Sequence, residues 1–190
     1  MLEAGERIFY EVSFLEKNLP FYSESKDINN TYAYKIKKPK AKYFFKLYNL
    51  VGHDYEWNDM YSFKSSQVEK MLKNLSIDFY LFFKNLQLLG FFILDFRKDK
   101  VCDLMYFGLL PDAIGFGYGT QMLKIALKKS SDKKFKKIIV NTNTLDHPNA
   151  LPLYKKMGFK IVKKEIHSRI LVNSNTQKEL SDLLERKKNV

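Results

Sequence analysis

The sequence predicts a single α/β domain, and three observations carry that prediction. Apolar and aromatic runs of strand length alternate with segments whose apolar residues recur at helical spacing. A glycine-rich turn, Gly115-Phe116-Gly117-Tyr118-Gly119, joins one such run to one such segment. The 190 residues, 45% hydrophobic and 15% aromatic, suffice for one substantial core and are too few to need two. We therefore expect one domain over residues 1–175 and a polar tail or helix over 176–190.

Taken in order, residues 7–15 (RIFYEVSFL) read as a first strand or an edge segment, and 23–34 as a polar loop. Phe44, Leu47, Tyr48 and Val51 share one stripe, which predicts a helix over 42–51. A second helix over 65–75 opens on a serine suited to capping and sets Val68, Met71, Leu72 and Leu75 at i, i+3, i+4 and i+7. Residues 77–84 and 88–96 are β-rich and linked by Asn85-Leu86-Gln87, so they read as a hairpin. Residues 101–110 follow the charged turn Arg97-Lys98-Asp99-Lys100 as a third strand.

The helix predicted over 117–129 buries Met122, Leu123, Ala126 and Leu127, and its C-terminal lysines complement the dipole. A strand at 137–140, a polar segment at 141–144, a short helix ending near Met157 and a strand at 159–165 complete the series. Pro152 requires that short helix to start late or kink, because an interior proline removes a helical hydrogen bond. Residues 179–186 read as a peripheral helix or frayed tail.

Composition narrows the function. The longest nearly unbroken apolar run, Leu88 to Leu94, is far shorter than the roughly 20 residues of a membrane span. The N-terminus has no secretory pattern, so a cytoplasmic location is expected. One cysteine, Cys102, excludes an internal disulfide and a multi-cysteine metal site, and the three histidines lack ligand spacing, so no metal is implied. The net charge of +12 describes a basic, solvated surface that also suits a polyphosphate ligand; a nucleic-acid partner is the less favoured reading.

Chemistry concentrates after the third strand. In Leu109-Leu110-Pro111-Asp112-Ala113-Ile114-Gly115-Phe116-Gly117-Tyr118-Gly119-Thr120, glycines at alternate positions let the backbone curl and aim N–H groups at one point beside a helix N-terminus, a cradle for a diphosphate. The order strand, glycine turn, helix, strand, then Ala150-x-x-Leu153-Tyr154-x-x-x-Gly158-Phe159, resembles the GNAT N-acetyltransferases over about residues 77–165. Residues 42–60 and the Thr144-Leu145-Asp146-His147-Pro148-Asn149-Ala150-Leu151-Pro152 stretch resemble more narrowly a bacterial GNAT subgroup with LYxxVG…W and TLDHPxALPxY segments. That similarity brings no acceptor with it.

The resemblance implies a GNAT fold, a mixed, mostly antiparallel twisted sheet of about six or seven strands flanked by about four helices. It implies acetyl-CoA as cosubstrate, held by Leu109, Leu110, Ile114, Gly115, Phe116, Gly117, Tyr118, Gly119, Thr120, Asn149 and Tyr154, and a primary amine as acceptor, a small molecule in preference to a protein. The strand before the glycine turn parts from its neighbour in GNATs; here that is Phe107 to Leu110, with the amide of Leu109 or Leu110 as oxyanion donor.

Two positions depart from the family pattern: Ile114 stands where Arg or Gln is common, and His147 where Asn is usual seven residues before the tyrosine. Attack of an uncharged amine on a thioester needs a proton donor and a proton acceptor. Tyr154, whose phenol stays protonated at neutral pH, is the expected donor. Asp103 and Glu56, with Asp59 and His53 beside the latter, are candidate bases, and His147 before Pro148 reads as a helix cap ahead of a base. The protein is expected as monomer or homodimer, and the alternative function is a non-catalytic CoA-binding or nucleic-acid-associated module of the same fold.

Overall fold

The computed structural model describes residues 6–21 and 30–170. The expected helix at 179–186 and the 176–190 tail lie outside the described residues.

Eleven elements follow in the order β1 (Arg7–Asn18), β2 (Thr31–Lys35), α1 (Ala41–Gly52), α2 (Ser65–Leu72), β3 (Ile77–Lys84), β4 (Gln87–Lys98), β5 (Val101–Leu109), α3 (Tyr118–Asp132), β6 (Lys137–Asn143), α4 (Ala150–Lys156) and β7 (Lys160–Ile170). The strands form one sheet in the order β2-β3-β4-β5-β6-β1-β7. Every pairing is antiparallel except β5 with β6. This is the α/β architecture of a GNAT fold.

Helices cover both faces of the sheet. On one face Met122, Leu123, Ala126 and Leu127 of α3 pack with Phe82, Phe92, Leu94 and Leu104, and Tyr154 of α4 joins them with Phe159. On the other, Phe44 and Tyr48 of α1 and Val68 and Leu72 of α2 cover Phe79, Phe91 and Ile93. Burial on both sides explains why 88–96 reads as a nearly continuous apolar run without alternation.

Several expectations need correction. Residues 31–34 were expected in a loop, yet they pair with β3 as an edge strand, because Tyr32 stacks on Phe83 across the ladder. Residues 7–15 are no edge: β1 lies between β6 and β7. The polar segment 141–143 continues β6, since Asn141, Thr142 and Asn143 pair with Phe14, Ser13 and Val12. The cap of α2 is Lys64, whose N–H donates to the Gln67 side chain at 2.9 Å, and not a serine. Pro152 raises no conflict, because α4 begins at Ala150 and its first-turn N–H groups have no intrahelical acceptor anyway.

The sheet brings α1 close through one glycine. A Cβ on Gly108 of β5 would stand 2.2 Å from Val51 Cγ1 of α1. Gly108→Ala is expected to destabilise the fold by about 1–3 kcal/mol through overpacking, and Val51→Ala in the same chain to recover part of that loss. Denaturant midpoints of the two single variants and the double variant measure the coupling; additive losses contradict this packing.

Candidate active site

The parallel pairing of β5 with β6 covers only Val101–Asp103 against Lys137–Ile139. Beyond it the strands part, helped by a bulge at Met105: Ile93 pairs with Tyr106 but Leu94 with Leu104. The opening between them is a cleft of about 760 Å³.

Ladder geometry decides which main-chain groups face that cleft. Leu110 N–H donates to the Leu89 carbonyl at 2.8 Å, which makes Leu89 and Leu110 a hydrogen-bonded pair. In an antiparallel ladder such pairs alternate with pairs whose N–H and C=O turn outward. Leu109, opposite Gly90, and Phe107, opposite Phe92, are therefore the residues whose main-chain groups turn away from β4, toward the cleft. Of the two residues expected to offer an amide to the cleft, Leu110 has its N–H already taken and its side chain packed against the α1–α2 core, whereas the main-chain groups of Leu109 turn outward.

The glycine turn forms one end of the cleft. Gly115 (φ 93°) and Gly117 (φ 77°) hold left-handed backbone that L side chains adopt at a cost, and Gly117 caps α3. No atom lies within 4 Å of a Cβ built on either, so the space above the turn is open. Leu109, Ile114, Gly115, Gly117, Tyr118, Gly119, Thr120, Asn149 and Tyr154 all line the cleft. Phe116 does not: it is 71% exposed, its ring turned outward 6.0 Å from that of Tyr118. Lys84, which the sequence did not single out, donates to Tyr118 Oη at 2.8 Å and sets a cation beside the start of α3.

Tyr154, only 4% exposed, packs its ring 6.1 Å from Phe107 and 5.6 Å from Phe159, beside the parted stretch of β5. Burial pushes its phenol up from the ordinary value, with the Asp146 charge adding to the effect, so it stays protonated through neutral pH. Asp103 stands at the closed apex of the split, where burial raises its carboxyl above the usual range against the pull of Lys98, 3.9 Å away.

The opposite end is aromatic and acidic. Tyr48 and Tyr106 both donate to Asp59, the latter at 2.7 Å, and burial with the Asp59 charge raises both phenols. Glu56, in left-handed backbone (φ 56°), has Oε2 buried without a hydrogen-bond partner among the described residues. His53 pairs with Asp54 at the surface and does not line the cleft.

The two motif segments meet here. Trp57 Nε1 donates to Asp146 Oδ1 at 3.1 Å, while Asp146 Oδ2 accepts from Thr142 Oγ1 at 2.8 Å and Asn143 N–H at 2.9 Å. His147 Nδ1 accepts from the Asn149 N–H at 3.1 Å, but α4 begins at Ala150 with Asn149 at its N-cap, so the expected cap at His147 with Pro148 as first helical residue is not formed and His147 instead braces the turn ahead of the helix. The cleft also takes in residues that sequence reasoning missed: Tyr10, Val12 and Phe14 of β1, and His167 and Arg169 of β7.

A model of the acetyltransferase (GNAT) family matches residues 39–159, more than half of the chain. The chain belongs to the GNAT family of acetyltransferases. No curated protein matches the sequence. Solved structures agree in fold. A GCN5-related N-acetyltransferase from Sphaerobacter thermophilus superposes with TM-score 0.65 at 9% identity, covering 87% of this chain and 54% of that one. An aminoglycoside acetyltransferase from an uncultured soil metagenomic sample gives 0.58 at 13%, covering 78% and 100%. An IAA acetyltransferase from Bacillus cereus gives 0.51 at 18%, covering 70% and 79%. The chain spans about half to two-thirds of the length of several such structures.

Within this GNAT domain Trp57, the sole tryptophan, reports on the junction of the two motifs. Asp146→Ala leaves the indole N–H, Thr142 and Asn143 without their acceptor, a loss of about 1–3 kcal/mol per unsatisfied buried group. We expect Trp57 emission to shift to longer wavelength and quencher access to rise. Unchanged emission contradicts the link.

Proposed function

We propose that this chain transfers the acetyl group of acetyl-CoA to a primary amine, a small molecule in preference to a protein, in the cytoplasm and without a metal. The observation that carries the reading is the pair of outward-turned residues Phe107 and Leu109 at the split, in line with an open glycine turn and a buried tyrosine.

The residues fit acetyl-CoA. The N-terminus of α3 and the Gly115–Thr120 backbone would hold the diphosphate, with Lys84 adding positive charge, and Asn149 would line the path toward Tyr154. Acetyl-CoA supplies the thioester. Phe107 and Leu109 offer the main-chain groups that orient its arm, and the Leu109 N–H faces the carbonyl oxygen on which negative charge develops.

Glu56 is the base this reading prefers to Asp103. The Asp59–Tyr106 bond and the Tyr154–Phe107 contact support a reacting centre near Tyr106 and Phe107. Asp103 lies three residues from Tyr106, about 10 Å along the strand, beside Lys98. Trp57, next to Glu56, has its ring 5.7 Å from Tyr106. The acceptor ammonium loses a proton, its nitrogen bonds the carbonyl carbon, and the C–S bond breaks. The first proton passes to solvent; Glu56 then takes one of the two still on the nitrogen, directly or through water, and Tyr154 gives one to the departing sulfur, so that amide and free thiol leave and solvent resets both groups.

The test is thiol release from acetyl-CoA over a panel of primary amines. Tyr154→Phe is expected to lower kcat by about 10²–10⁴ while still binding acetyl-CoA. Glu56→Gln should lower kcat/KM far more than Asp103→Asn. Acetyl-CoA binding without amine-dependent thiol release in the wild type defeats the proposal and favours a non-catalytic CoA-binding module.

A further inference from the structure

An acceptor that enters opposite the glycine turn meets charge of both signs. Arg169 of β7 lines the cleft and lies across from Ile8 in the β1–β7 ladder. Its guanidinium stands 5.1 Å from the centre of the Tyr10 ring, and Nη1 reaches Asn58 Oδ1 at 3.3 Å. Nε and Nη2 are buried and have no hydrogen-bond partner among the described residues.

Those two donors form the single edge of a guanidinium that a carboxylate binds side-on. The molecule contains that arrangement elsewhere: Arg97 uses Nε and Nη2 to grip the Asp95 carboxylate. The acids of β7 and, Glu56 apart, those lining the cleft have partners, Asp103 with Lys98 at 3.9 Å among them. Glu165 is bonded to His167 at 2.9 Å and to Lys163, Asp59 accepts from two phenols, and Asp146 from the indole and the β6 turn. Glu56 has a free buried oxygen in the same cleft, yet no ion pair joins it to Arg169.

A guanidinium with two buried donors unpaired and a carboxyl group with a buried oxygen unpaired are costly unless a ligand completes both. Holding them in one cleft without letting them neutralise each other makes the cleft complementary to a molecule with the opposite arrangement. Resting on the acetyl-transfer reading, we infer that the acceptor is a small amino carboxylate, an amino acid or close analogue, whose carboxylate docks on the Nε and Nη2 edge of Arg169 while its amine faces Glu56 and Asp59. The Tyr10 ring packs against the guanidinium at 5.1 Å and, with the Asn58 contact, holds the fork in place.

The experiment compares matched pairs in the thiol-release assay with the full chain: tyrosine against tyramine, histidine against histamine, lysine against cadaverine, with dipeptides as a further set. The wild type should favour the carboxylate-bearing member of the best pair by about 10- to 100-fold in kcat/KM, as expected for a charge-assisted bidentate contact. Arg169→Ala should collapse that ratio toward one, and Arg169→Lys, which keeps the charge but loses the fork, should restore only part of it. Melting temperature and acetyl-CoA binding of both variants establish that they are folded.

A wild type that turns over amines with no preference for the carboxylate, or a ratio untouched in both variants, overturns this inference and leaves acetyl transfer standing. Preference for dipeptides over free amino acids also overturns it, in favour of a peptide acceptor. Turnover of no amine overturns the acetyl-transfer reading itself. In that event quenching of Trp57 by free amino acids still decides the carboxylate site, supporting it if lost in Arg169→Ala and overturning it if absent from the wild type.

Discussion

The structure depends on one incomplete pairing. β5 and β6 are hydrogen-bonded over three residues and then part, so a strand in the middle of a seven-stranded sheet presents main-chain groups that no neighbouring strand satisfies. Buried backbone groups in that condition are costly, and folds retain them where a ligand or water completes the bonding. The split therefore does two things at once. It opens a passage between the two faces of the sheet, and it lines that passage with the N–H and C=O of Phe107 and Leu109. The bulge at Met105 sets the parity, turning these residues outward and committing Leu110 to Leu89.

Each end of the passage is built by a different kind of force. At the glycine turn the backbone itself is the binding surface, and left-handed glycines beside a helix N-terminus prepare it for negative charge. At the other end side chains dominate. Tyr48 and Tyr106 pack edge to face with the Trp57 ring tilted against both, and two phenols with one indole anchor Asp59 and Asp146. The Trp57–Asp146 bond spans 89 residues of sequence and ties the loop after α1 to the turn before α4. The acceptor side and the tyrosine side of the cleft are thereby held in one frame. Cys102 plays no part in this chemistry; burial, moderated by Ser130, pushes its thiol up to about 12.

Local patterns made much of this legible in the sequence. The β3–β4–β5 succession, α1 and α3 have apolar periods strong enough to be read within a single window. The glycine turn and Tyr154 were legible because their residue types and spacing are tied to a specific geometry. What stayed hidden is set by register between distant segments. β2 becomes a strand because β3 offers it an edge, and 141–143 extend β6 because β1 lies alongside. Leu109 and Leu110 differ only in parity, which a bulge four residues upstream controls. Arg169 looks like any surface arginine in the sequence; only the β1–β7 ladder brings it into the cleft with two donors unpaired.

The central claim is that the split strand is the acetyl-CoA site, and amide hydrogen exchange resolved by residue tests it most directly. On adding acetyl-CoA the account predicts new protection at Phe107, at Leu109 and along Gly115–Thr120, with Gly108 and Leu110 unchanged because β4 already holds their amides. Protection confined to other surfaces, or none at Phe107 and Leu109 at saturating acetyl-CoA, would contradict it.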